Sequence, residues 1–126
     1  MQKEEIGFLE LLDNQDQFFS IDAGSVLFHE GETGGTMFVI LKGEVSLTIS
    51  GQELGTEMEG GIVGEMSLID ETDRSATATA SSDCLLAPLD REAFLVLVRK
   101  KPEFAIHVMQ VLSQRLRLAN DILTRF

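Results

Sequence analysis

Hydrophobic and polar positions along this chain change period twice. Behind the acids Glu4 and Glu5, Phe8, Leu11 and Leu12 recur at helical spacing, which predicts a short amphipathic helix over 4–12, weakened by Gly7. From Phe18 the runs shorten. Apolar or alternating segments at 18–21, 25–28, 36–41, 44–49, a weaker 52–57, and 62–63 are divided by glycine-bearing turns. β-branched and aromatic residues between such turns are the mark of many short strands. Residues 44–49 alternate, with Val45, Leu47 and Ile49 on one face, as in a half-buried strand. Residues 37–41 are apolar throughout, which predicts burial on both faces, and Lys42-Gly43 is expected to join these two runs as a hairpin. The pattern predicts a sandwich or barrel.

A single helical turn is expected at 65–69, then strands at 76–80 and 83–89. Helix returns at 91–100, with Asp90 as N-cap and Phe94, Leu97 and Val98 as its apolar face. Pro102 suits the start of a last helix that continues to Phe126. That helix carries two apolar stripes. One is Ala105, Met109, Leu112, Leu116, Ala119, Leu123 and Phe126; the other is Phe104, Val108, Val111, Leu118 and Ile122. A surface helix needs one stripe, so the second predicts a partner helix and a two-fold homodimer. A groove within its own domain is the alternative.

Size and charge narrow the functions. At 126 residues one domain is expected, and 44% apolar residues is ordinary for a globular chain. The net charge of −11 and the absence of a basic stripe argue against nucleic acid as a partner. Arg99, Lys100 and Lys101 are expected to complement a helix C-terminus. No apolar run reaches the ~20 residues of a membrane span, and the N-terminus lacks signal-peptide character. Cys84 is the sole cysteine, which fits a reducing, cytoplasmic setting.

Candidate chemistry gathers in residues 62–80. Arg74 is the only basic side chain between Gly43 and Asp90, in a region rich in Glu and Asp. One cation kept among carboxylates points to a place for one anionic group. Gly60, Gly61 and Gly64 permit close backbone approach, and Arg74 offers a planar donor fork beside the Ser75 hydroxyl. Glu65 has the wrong sign for an anion and is expected to accept from ligand hydroxyls. Ala76, Ala78 and Ala80 are expected to leave room for a flat ring. Phosphate, sugar hydroxyl and ring together describe a nucleotide. A solvated turn arginine and a first-turn helix acid are the plainer alternatives.

The segments Gly64-Glu65-Met66-Ser67-Leu68 and Arg74-Ser75-Ala76-Thr77 resemble the phosphate-binding cassette of the cyclic nucleotide-binding domain family. Ala23-Gly24-Ser25-Val26-Leu27-Phe28, Glu30-Gly31-Glu32, Met37-Phe38-Val39-Ile40 and Lys42-Gly43-Glu44-Val45 precede them in the family's order. The likeness extends to the ligand-binding half of the bacterial catabolite activator and to the domains of kinase regulatory subunits and channels. It implies a mainly β fold: an eight-stranded antiparallel β-roll (a jelly roll) over about 18–89, a short N-terminal helix, and two C-terminal helices over about 90–126.

The resemblance also implies roles. Glu65 would accept from the ribose 2′-hydroxyl and Arg74 would pair with the cyclic phosphate. Backbone N–H groups around Gly64, Met66, Ser67 and Ala76 would complete the anion cradle. Ser75 stands where Thr favours cyclic GMP, which leans the expectation to cyclic AMP. On the last helix Arg115 falls on a matching Arg, while Ala119 replaces a hydroxyl that would meet adenine. Arg115, Asn120 and Leu123 become the candidate base or lid contacts, with Leu116 and Phe126 as further lid candidates. Activators of this type continue into a helix-turn-helix domain, whereas this chain ends at Phe126. The expectation is a single domain over 1–126 without a DNA-binding part: a stand-alone sensor acting through a dimer or an effector protein.

Two other classes compete. A related barrel serves cupin metalloenzymes, which need clustered His and Glu, and only His29 and His107 are present. Neither catalysis, a metal nor a resident cofactor is expected. A β-roll that has lost its ligand and serves as a dimeric scaffold would show a broken cassette, yet Glu65 and Arg74 both stand.

Overall fold

The computed structural model describes Leu12 and residues 15–124, with side chains described as far as Asp121. The helix expected over 4–12 lies outside these residues apart from Leu12, whose side chain is buried. Eight strands follow in order: β1 (Phe19–Ile21), β2 (Val26–Phe28), β3 (Met37–Lys42), β4 (Val45–Ile49), β5 (Gln52–Glu57), β6 (Ile62–Val63), β7 (Thr77–Ala80) and β8 (Cys84–Leu89). Helix α1 (Glu65–Asp70) follows β6, and α2 (Arg91–Lys100) and α3 (Glu103–Thr124) follow β8. The strands make two four-stranded antiparallel sheets, ordered β1-β8-β3-β6 and β2-β7-β4-β5. This is the β-roll that the glycine punctuation and the resemblance imply.

The first sheet is a middle layer, and its period of two shows why. Ile40, Val63 and Leu86 pack inward against Phe28, Val45, Ala78 and Ala80 of the second sheet. Their neighbours Met37, Val39, Ile62, Ala87 and Leu89 point the other way, onto Leu12, Leu68 of α1, Leu97 of α2, and Phe104, Val108 and Val111 of α3. Successive strand residues face opposite sides, so a strand covered on both reads as one apolar run. Residues 37–41 satisfy that expectation. Burying each such Leu, Ile, Val or Phe contributes about 1.5–3 kcal/mol.

The expected hairpin at Lys42-Gly43 is not formed. β3 and β4 lie in different sheets, and the chain changes sheet at this corner. Gly43 has φ +97° and packs so tightly that a Cβ there would meet the Asp83 carbonyl oxygen at 2.4 Å. The glycine serves a crossing under a neighbouring strand. The true hairpin is β4–β5, turned at Ser50-Gly51 with φ values of 50° and 80°. β5 reads weakly because it is an edge strand with largely exposed side chains.

The helices begin as their sequences dictate. Asp90 accepts from the Ala93 N–H at 2.8 Å, an N-cap of about 1 kcal/mol. Of the two stripes on α3, Phe104, Val108 and Val111 are buried against the middle sheet. Met109, Leu116 and also Leu118 remain exposed.

Candidate functional site

The short strand β6 sets the site. Ile62 and Val63 anchor it on both faces of the middle sheet, and Gly64 turns the chain with φ +80° into α1. No side chain fits at Gly64: a Cβ would lie 2.7 Å from Arg74 Nη1 and 3.0 Å from the Thr36 carbonyl oxygen. α1 is held by buried Leu68, whose carbonyl oxygen accepts from Arg91 Nη1 at 3.1 Å. Glu65, the first residue of α1, is thereby carried inward and is only 1% exposed.

Arg74 is also buried, 7% exposed, so the solvated-turn alternative does not hold. Its backbone is locked into the 31–32 loop: Gly31 N–H donates to the Arg74 carbonyl and Arg74 N–H donates to the Glu32 carbonyl, both at 2.8 Å. Its guanidinium lies 4.2 Å from the centroid of the Phe28 ring and 5.8 Å from that of Phe38. Nη1 donates to the Gly64 carbonyl at 3.2 Å. Burial pulls this guanidinium below its ordinary value, while Glu32 and Glu65 push it back up. Gly34 closes the same corner, since a Cβ there would fall 1.5 Å from Ser67 Oγ.

Arg115, read as a base or lid contact, reaches the acid instead. Nη1 donates to Glu65 Oε2 at 2.5 Å, and Nη2 donates to the Ile62 carbonyl at 2.7 Å and lies 3.3 Å from Glu57 Oε2. Helix α3 is thus fastened to the site by charge. Two turns earlier, His107 Nε2 lies 2.7 Å from the Gly60 carbonyl oxygen.

Among the described residues, two buried side-chain polar atoms lack a hydrogen-bond partner: Glu65 Oε1 and Arg74 Nε. Buried polar groups are nearly always satisfied, so two orphans at one place mark a site. One is an acceptor for a hydroxyl; the other belongs to a cation suited to an anion.

The remaining expected residues divide. Met66 and Ser75 are exposed beside Glu65 and Arg74, and Ala76 is buried. The Ser67 hydroxyl donates to the Thr72 carbonyl at 2.6 Å, closing the loop between α1 and Arg74. Ala78 and Ala80 do not leave space for a ring. Both are buried in the inter-sheet core, because β7 is flanked by β2 and β4 and its small side chains let the sheets approach. Asn120, Leu116 and Ala119 are exposed on α3; the side chain of Leu123 and all of Phe126 lie outside the described residues. Sequence reading missed Glu32, Glu57, Phe28, Phe38 and His107 as members of this site. Phe28, Phe38 and Glu57 carried only a strand signal, Glu32 only its place in a family motif, and His107 nothing that tied it to this site. No group of three or more His, Cys, Asp or Glu able to hold a metal occurs among the described residues.

A profile of the cyclic nucleotide-binding domain matches residues 18–101. The chain belongs to the cyclic nucleotide-binding domain family. The match takes in the cassette, both sheets and α2. The cyclic AMP receptor protein of Thermus thermophilus is 38% identical over 102 residues, covering 77% of this chain and 47% of that protein. The cAMP-activated global transcriptional regulator CRP of Salmonella typhimurium is 30% identical over 104 residues, covering 77% and 49%. The crystal structure of the Thermus thermophilus catabolite activator protein superimposes with a TM-score of 0.77 at 34% identity, over 96% of this chain and 58% of that one. The chain therefore spans about half the length of these curated relatives. In this cyclic nucleotide-binding domain no described helix is long and apolar enough to cross a membrane.

Proposed function

We propose that this domain binds a cyclic nucleotide, cyclic AMP in preference to cyclic GMP, and acts as a sensor rather than an enzyme. The observation that carries the reading is the pair of orphaned buried atoms, Glu65 Oε1 and Arg74 Nε. A carboxylate repels a phosphate but accepts from a ribose hydroxyl; a guanidinium does the reverse. One ligand that supplies both groups close together is a cyclic nucleotide. Relatives named for cyclic AMP support that choice of base, as does Ser75 in place of threonine. With Ala78 and Ala80 inside the core, we assign the base to the side facing α3, near Leu116 and Asn120. The reading needs no resident cofactor or metal, and the acidic chain fits neither nucleic acid nor membrane as partner. A reducing, cytoplasmic setting suits the lone buried Cys84.

Calorimetric titration tests this. Cyclic AMP should give saturable heat at one site per chain, and cyclic GMP weaker binding. No heat from either at near-millimolar concentration would refute the proposal and leave a ligand-free scaffold.

The signal would leave through α3. Ligand at Glu65 acts on the same carboxylate that Arg115 holds, so occupancy and helix position are linked. A second copy is the natural partner for the exposed seam of Met109, Leu116 and Ala119, which small Ala119 allows to approach closely. An effector protein would then read the dimer. Leu116→Glu should convert a dimer to a monomer in light scattering at micromolar concentration; a monomeric wild type would end the idea.

A further inference from the structure

We propose that Glu57 is a positioning residue of this site: it holds one edge of the Arg115 guanidinium so that Arg115 meets Glu65 through a single nitrogen. The inference rests on the cyclic-nucleotide reading and deepens it. Arginine and a carboxylate frequently pair as two parallel N–H···O bonds, one from each nitrogen to each oxygen. Here they do not. Nη1 alone bonds Glu65, on Oε2, while Nη2 is turned to the Ile62 carbonyl at 2.7 Å and to Glu57 Oε2 at 3.3 Å. Among the described residues, Glu65 Oε1 is left without a hydrogen-bond partner.

Glu57 is built into this arrangement. It is the last residue of β5, set opposite Val45, and its side chain is 22% exposed, against 29% for Arg115 and 2% for Glu65. Gly61 makes the space for it, because a Cβ there would lie 2.6 Å from Glu57 Oε1. The His107 contact with Gly60 fixes the same turn to α3, so the reach of Arg115 is set at both ends. One guanidinium is therefore divided between two carboxylates of different duty. Glu57 draws Nη2 away; Glu65 keeps one oxygen for the ligand.

Without Glu57, Nη2 is held by one carbonyl alone and can swing onto Glu65 Oε1 to complete the fork. A ribose hydroxyl would then have to displace a charged hydrogen bond. The loss should be confined to ligands that use that hydroxyl, and it should require Arg115.

The test is calorimetry on the whole chain with cyclic AMP and with 2′-deoxy cyclic AMP. Glu57→Ala should weaken cyclic AMP about five-fold, the size of one ordinary hydrogen bond, and leave the 2′-deoxy ligand unchanged. Combined with Arg115→Met, Glu57→Ala should cause no further loss beyond that of Arg115→Met alone. Should the alanine variant fold poorly, Glu57→Gln keeps the shape and an acceptor oxygen, and its loss for cyclic AMP should be smaller, about two-fold. Unchanged cyclic AMP affinity in both variants, an equal loss for both ligands, or a loss that persists without Arg115 would each overturn the proposal. If the wild type binds neither nucleotide, the proposed function itself fails and takes this role with it. If it binds cyclic AMP normally while Glu57 variants match it, only the role of Glu57 falls.

Discussion

Arg74→Ala is expected to weaken cyclic AMP by at least about 1.5–3 kcal/mol, roughly ten- to more than a hundredfold. The magnitude follows from where the charge sits. Arg74 is 7% exposed, and Glu32 and Glu65 are the charges that act on it. Removing the cation takes away the proposed anion's partner and leaves the charges of Glu32 and Glu65 unopposed by Arg74. Arg74→Lys keeps the charge but not the planar fork that lies on Phe28 and reaches Gly64, and it should fall between wild type and alanine. Calorimetry measures the affinity, and far-ultraviolet circular dichroism confirms that each variant is folded. An alanine variant that binds as tightly as wild type would remove Arg74 from the anion site.

Arg115→Ala should act first on the fold. Glu65 is 1% exposed, and Arg115 is its only charged hydrogen-bond partner among the described residues. Removing that partner leaves a buried carboxylate without its charged hydrogen bond and with only the more distant charge of Arg74 beside it. Breaking a fully buried pair costs about 3–5 kcal/mol, and because Arg115 is 29% exposed we expect about 2–3 kcal/mol. The decisive comparison is the double variant. Arg115→Ala with Glu65→Gln should regain most of the lost stability, since a neutral amide tolerates burial far better than a lone charge. Urea unfolding followed by circular dichroism is the readout, because the chain has neither Trp nor Tyr to report by fluorescence. Equal stability of Arg115→Ala and wild type would mean that the ion pair does not hold α3 to the site.

The two variants separate the parts of the site. On the proposed function, Arg74 in the cassette would meet the ligand, whereas Arg115 on α3 meets the cassette through Glu65. On that reading, the Glu65 carboxylate is the group through which ligand would act most directly on Arg115 and α3.

Much of this molecule was legible in its residues. Period two with glycine turns described the strands, and the uninterrupted apolar run at 37–41 foretold a strand covered on both faces. Gly64, Glu65 and Arg74 stood out by spacing and by sign. Other features were not legible. The Lys42-Gly43 corner reads like a hairpin, and only packing against Asp83 and Cys84 turns it into a sheet crossing. The alanines of β7 read like a floor for a ring, and the second sheet closes over them.

The chain by itself determined its elements, its family and the two charges of the cassette, because period, turn chemistry and motif order are local properties. Only the tertiary structure decided which charge meets which. Glu65 and Arg115 are fifty residues apart, and Glu57 lies on a weakly patterned edge strand. Nothing local pairs them. They meet because β5, β6 and α3 converge around one guanidinium, and burial there makes each unpartnered polar atom too costly to be without purpose.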